Sequence, residues 1–176
     1  MLKMTSGGKI RAAIHKALQA PYVAFLLITA GTLSIYFQTL SFPFHYDDDI
    51  TILQHTNLRD LSNLWPPPPG TRYVGDLSFA LNYHFGKLEV FGYHFVNIAI
   101  HILNGFLVWG LAFLTLKTPA MADGKGLVQH KRYIALAAAL LFVAHPIQTQ
   151  AVTYLSQRFA SLATLFYLLS VVMYIQ

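Results

Sequence analysis

The sequence predicts an all-α fold: a polytopic membrane helix bundle of about four transmembrane helices, with two short amphipathic helices in its first outer loop. Three observations carry this. The 176 residues are 55% hydrophobic and 11% charged, where a soluble domain averages about 25% charged. The hydrophobic residues lie in long blocks, not at the periods of a globular core. The blocks Tyr22–Leu40, Phe95–Leu116, Tyr133–Ala144 and Phe159–Ile175 carry almost no formal charge.

A hydrocarbon layer about 30 Å thick needs roughly 20 helical residues at about 1.5 Å each. The first, second and fourth blocks suffice. The third is about a turn and a half short and completes a span only by continuing through His145–Gln150. The predicted spans are about 22–40, 93–116, 133–150 and 155–176. Residues 1–20 form an N-terminal arm, and 21–176 form one transmembrane unit. The arm's Lys3, Lys9, Arg11 and Lys16 resemble the basic start of a secretory signal. The apolar block runs too far for one, however, and no A-x-A-like site follows it, so an uncleaved first span is expected.

Charge asymmetry orients the chain. The arm has four Lys/Arg and no acid, and Lys117–Arg132 has four against Asp123 alone. Residues 41–92 carry Asp47, Asp48, Asp49, Asp60, Asp76 and Glu89 against Arg59, Arg72 and Lys87. The positive-inside rule puts the arm and 117–132 in the cytoplasm and the acidic loop outside. Arg158 on the outer side opposes the rule. The net charge of +5 is therefore a topology signal and does not imply nucleic acid. The absence of Cys excludes disulfides, structural Cys-zinc sites and thiol chemistry.

Within the outer loop, Asn57 reads as the N-cap of a helix carrying Leu58, Leu61, Leu64 and Trp65 on one stripe, ended by Pro66–Pro69 and Gly70. Asp76 reads as the cap of a second helix, Leu77–Phe85, stopped by Gly86. Its apolar residues suit a helix at the interface or docked on the bundle.

Three constellations can carry chemistry. Asp47-Asp48-Asp49 follows the first span. Adjacent carboxylates repel, so a proton or a cation must offset them. Asp47 and Asp49 form a D-x-D pair able to hold a divalent metal, Mg or Mn. One Asp can instead be a general base. A solvated acidic cap explains the cluster equally well. His94, Asn97, His101 and Asn104 share one face of the second span. Such a stripe points into the bundle or a cavity. Interhelical hydrogen bonding with Gly105 and Gly110 close by explains it without chemistry. Third, His145-Pro146 precedes Gln150, Tyr154, Gln157 and Arg158. An Arg there either snorkels to headgroups or meets a phosphate, which its fork matches.

Four segments in order carry a resemblance. They are Phe44-His45-Tyr46-Asp47-Asp48-Asp49; Arg72 ahead of Leu77-Ser78-Phe79-Ala80-Leu81-Asn82-Tyr83; Gly92-Tyr93-His94-Phe95-Val96-Asn97 with His101; and His145-Pro146-Ile147-Gln148-Thr149-Gln150 through Gln157-Arg158. Together they resemble the N-terminal third of polytopic GT-C glycosyltransferases, closest to the O-mannosyltransferase-like proteins that carry C-terminal tetratricopeptide repeats. The resemblance covers about residues 22–176. It implies a mannose-like sugar moved from a polyprenyl-phosphate donor to a hydroxyl on a protein or glycan acceptor. It places Asp47, Asp48 and Asp49 in the active site as base or, in relatives, metal ligands, with Asp48 the first choice for the base. His145, Arg158, Arg72, His94 and Asn97 are expected on the substrate side, with Arg158 on the donor phosphate.

Two departures stand out: Tyr73 where many relatives have Pro, and Ala160 where many animal relatives have an acid. The second leads to an expected bacterial inner membrane over an endoplasmic reticulum. The chain reads as a C-terminally truncated piece that is inactive alone. A transporter or channel subunit, or a non-catalytic membrane scaffold, is the competing reading. The first predicts ionisable residues at mid-membrane and inverted repeats; the second predicts acids splayed to solvent.

Overall fold

The computed structural model describes residues 20–67, 72–122, 126 and 129–176. The basic arm before residue 20, the Pro68–Gly70 stretch, and Asp123 and Lys125 of the basic loop lie outside them. Among the described residues every regular element is helical.

Helix α1, Pro21–Tyr36, has Pro in its first turn, where a missing N–H costs nothing, and tightens into a 3₁₀ segment, Phe37–Ser41. Helix α2, Tyr73–Gly86, lies within the acidic 41–92 segment. Helix α3 is Val90–Thr115 and helix α4 is Lys131–Ala144. Helix α5, Gln148–Thr153, is short, and helix α6 is Arg158–Ile175. Among the described residues, three stretches are long and apolar enough to cross a membrane: Pro21–Ser41 and Leu155–Ile175, of 21 residues each, and Val90–Thr115, of 26.

The expected third span differs. Helix α4 has 14 residues, about 21 Å at the usual rise. It does not continue to Gln150. His145 sits before Pro146 and is pushed to an extended conformation, φ −67° and ψ 130°. The chain then turns and restarts as α5. Helix α4 is nonetheless an inner element, packed against both α1 and α3. Ala135 and Ala139 are fully buried, and Ala24, Ile28, Leu136, Ala139 and Val143 form a core there. Gly105 of α3 permits this approach, since a Cβ on it would lie 2.7 Å from Val143 Cγ1 and 2.9 Å from Ile28 Cγ2.

The acidic 41–92 segment packs Ile52, Leu58, Leu64, Phe79 and Ala80 into one core with Tyr93 of α3 and Leu155 ahead of α6. The helix expected after Asn57 is instead two 3₁₀ turns, Thr56–Arg59 and Leu61–Leu64. Asp60 caps the second, accepting from the Ser62 amide at 2.9 Å, and that bond holds its carboxyl below the usual carboxylate range. Leu58 and Leu64 are buried, but Trp65 is exposed. Helix α2 begins at Tyr73, a turn before the expected start, so Asp76 lies within its first turn and not at its cap. Lys87, with φ 52°, ends it after Gly86.

Candidate active site

The polar stripe on α3 is fully buried. Most of it bonds backbone carbonyls freed where neighbouring helices break. His94 Nε2 is 3.0 Å from the Phe42 carbonyl, and His101 Nε2 is 3.3 Å from that of Val143 at the end of α4. Asn97 Nδ2 donates to the carbonyls of Val152 and Tyr154, both at 3.3 Å, where α5 ends. Asn104 Nδ2 donates to the Ser161 carbonyl at 3.1 Å. Carbonyls at helix ends lack intrahelical donors, and in a membrane there is no water to replace them. The stripe supplies that replacement. His94 and Asn97, expected on the substrate side, are therefore enclosed; the protein itself occupies Asn97, and His94 keeps a buried Nδ1 with no partner among the described residues.

Asn97 also accepts, through Oδ1, from Arg158 Nε at 2.7 Å. Arg158 neither snorkels nor faces an opening: it is completely buried. Its Nη1 donates to Asn82 Oδ1 at 2.7 Å and Ser78 Oγ at 3.3 Å, and its Nη2 to the Tyr93 carbonyl at 2.8 Å. The guanidinium lies 4.2 Å from the Phe79 ring centroid, a cation–π contact. Its geometry joins α2, α3 and α6. The fork expected on a donor phosphate is spent on amides, a hydroxyl and a carbonyl. Asn82 and Ser78, four residues apart on α2, were legible as one helix face but not as ligands of an arginine.

The three acids diverge. Asp48 is 1% exposed. Its Oδ1 accepts from the Ser156 amide at 2.8 Å and its Oδ2 from the His45 amide at 3.2 Å. Tyr46, with φ 51°, makes the turn that allows this; so positive a φ is uncommon outside glycine. Asp49 is exposed and takes the Gln54 side-chain amide at 2.6 Å. Asp47 is exposed and borders a recess of about 300 Å³ with Tyr46, Gln150, Tyr154, Ser156 and Gln157. The Tyr46 and Tyr154 rings stand 6.0 Å apart beside it. The first-choice base, Asp48, is thus turned inward with both oxygens engaged, and Asp47 is the open carboxylate.

Asp48 and Arg158 do come together: both flank Ser156, and the Asp48 charge acts on the guanidinium. His145 does not join them. It is exposed, its Nδ1 accepts from the Ile147 amide at 3.2 Å, and it borders neither this recess nor that beside Arg72. Arg72 is exposed, 4.7 Å from the Phe159 ring centroid. As for a metal, no three His, Asp or Glu side chains gather among the described residues. With Asp48 on backbone amides and Asp49 on Gln54, the triplet is a poor donor set for Mg or Mn.

Comparison with known proteins bears on this arrangement. Protein O-mannosyl-transferase TMTC2 from mouse and from human is 33% identical over 175 residues, covering 88% of this chain and 19% of theirs. Protein O-mannosyl-transferase Tmtc1 of Drosophila melanogaster is 34% identical over 155 residues, covering 80% of this chain and 16% of its own. This chain is a relative of the protein O-mannosyl-transferases. It spans about a fifth of the length of these curated relatives. No family model matches it, and no solved structure does. The relatives named here are animal proteins, so the expected bacterial inner membrane gains no support from them, whereas a membrane setting agrees with the three apolar helices.

Proposed function

We propose that this protein O-mannosyl-transferase relative forms part of a GT-C-type glycosyltransferase, moving a mannose-like sugar from a polyprenyl-phosphate donor to a hydroxyl on a protein acceptor. One observation carries the reading. Of three adjacent acids, one is locked on two backbone amides, and its neighbour Asp47 stands free in a polar recess. Asp47 takes the proton of the acceptor hydroxyl while that oxygen attacks the sugar's anomeric carbon. The bond from that carbon to the phosphate oxygen breaks, its electron pair leaves with the polyprenyl phosphate, and the configuration inverts. Asp48 positions Asp47 through the loop and does not touch substrate. Gln150 and Gln157 offer side-chain amides to sugar or peptide hydroxyls, and Tyr46 and Tyr154 offer ring faces.

The test is Asp47→Asn in the intact protein, which keeps the shape and removes the proton acceptor. Transfer from polyprenyl-phosphate mannose to a Ser/Thr-containing acceptor should fall about 10²–10⁴-fold with donor binding retained. Undiminished transfer would remove Asp47 from the chemistry.

A further inference from the structure

A second recess is bordered by residues that follow the Asp48 tether in the chain. Tyr46 and Asp47 border the first; Ile50 and Thr51 border this one, with His55, Arg72, Asp76 and Phe159, around about 400 Å³. Asp76 is 7% exposed, yet its carboxylate makes no hydrogen bond or ion pair among the described residues. Burial pushes that carboxyl above its ordinary value, and the charges of His55 and Arg72 only partly oppose the push. No donor among the described residues holds its oxygens, which open onto the recess and are free to accept from a bound hydrogen-bond donor.

Arg72 also stands at the head of an apolar trough of about 440 Å³, walled by Val74, Phe159, Leu162, Ala163 and Phe166. The trough follows the first turns of α6, at the start of a membrane span. From the span outward, one continuous face therefore reads apolar wall, guanidinium, then imidazole and carboxylate. That order matches an amphiphile with a chain, a phosphate and hydroxyl groups. A bare phosphate leaves Asp76 unsatisfied and repelled. A metal cation would meet Arg72. A phosphate that carries a sugar answers both groups: its oxygens accept from Arg72, and a hydroxyl donates to Asp76.

We infer that this trough and recess hold the donor of the proposed transfer, with the prenyl chain along Leu162 and Phe166, the phosphate on Arg72 beside His55, and a sugar hydroxyl on Asp76. The inference rests on the reading of the protein as a polyprenyl-phosphate-sugar transferase.

Binding to the intact purified protein tests it, with three probes: a short-chain prenyl phosphate mannose, the same prenyl phosphate without sugar, and phosphatidylglycerol as competitor. The mannose-bearing probe should bind about tenfold more tightly than the sugar-free one, equivalent to about 1.4 kcal/mol. Asp76→Asn should cut that preference several-fold and Asp76→Ala abolish it, with sugar-free binding retained as the control for folding. Arg72→Gln should weaken both prenyl probes alike. Equal binding of the two probes, an unchanged preference in both Asp76 variants, or equal competition by phosphatidylglycerol overturns the assignment. Because the readout is binding, a failure here is separable from normal transfer by Asp47→Asn, which would sink the base and leave the donor site standing.

Discussion

The Asp48 carboxylate accepts from the Ser156 amide at 2.8 Å, across 108 residues of chain. That bond ties the loop leaving the first span to the start of the last. The second oxygen holds the His45 amide, and the acid is buried, whereas Asp47 borders the open recess. Asp48→Asn keeps one acceptor oxygen and replaces the other by an NH₂ group, which cannot accept. One buried amide is left unsatisfied, at a cost of about 1–3 kcal/mol. Thermal unfolding in detergent should show a lowered midpoint for Asp48→Asn and none for Asp47→Asn. A stable Asp48→Asn beside an unstable Asp47→Asn would mean the two acids have the opposite roles.

Arg158 gives a second separable prediction. Lys keeps the charge but not the fork, and a single ammonium cannot reach Asn97, Asn82, Ser78 and the Tyr93 carbonyl together. Hydrogen bonds to charged groups contribute about 1.5–3 kcal/mol each, so Arg158→Lys should destabilise the protein by about 3 kcal/mol before any donor is added. A residue that served only as a phosphate contact would leave the unliganded unfolding midpoint unchanged. The measurement is the same unfolding curve, taken without and with prenyl phosphate.

The stripe on α3 was legible because spacings of three and four admit one helix face. Its partners were not, because they are carbonyls released by helix breaks elsewhere in the chain. The α4 break was half legible: Pro146 announces a break, but 3.6-residue counting cannot say whether the chain resumes along the same axis. Three identical acids carry no local signal about which one turns inward. Tyr46's backbone and a distant Ser156 amide decide that. Asp before an apolar run reads as a cap, while the placing of Asp76 beside Arg72 and His55 in one recess is a tertiary matter.

The orientation of the bundle is testable because the chain has no native cysteine. Ser62 in the outer loop and Gln129 before α4 are both exposed. With the basic segments inside, Ser62→Cys should react with an impermeant thiol reagent in sealed vesicles that expose the non-cytoplasmic face, and Gln129→Cys only after permeabilisation. The reverse pattern would invert the topology and remove Asp47 and Arg72 from the side assigned to the chemistry.

The last prediction concerns Asp76 and pH. Burial raises its carboxyl above the ordinary aspartate value, so the fold favours the protonated form. Between the ordinary value and the raised one, the folded protein binds more protons at this site than the unfolded chain. Stability from this group therefore falls as pH rises through that window, and a constant penalty remains above it. Asp76→Asn mimics the neutral acid and escapes the penalty. The variant should unfold at a higher temperature than the parent at neutral pH. Its advantage should shrink as pH falls through the raised value and vanish below the ordinary aspartate range. The same substitution is expected to weaken discrimination for the sugar-bearing probe. A gain in stability coupled to a loss of recognition marks a group held in an unfavourable state for a ligand. A variant less stable than the parent at neutral pH would instead mean that Asp76 already has a satisfying partner within the fold, and the recess beside Arg72 would lose its carboxylate as a site for a sugar hydroxyl.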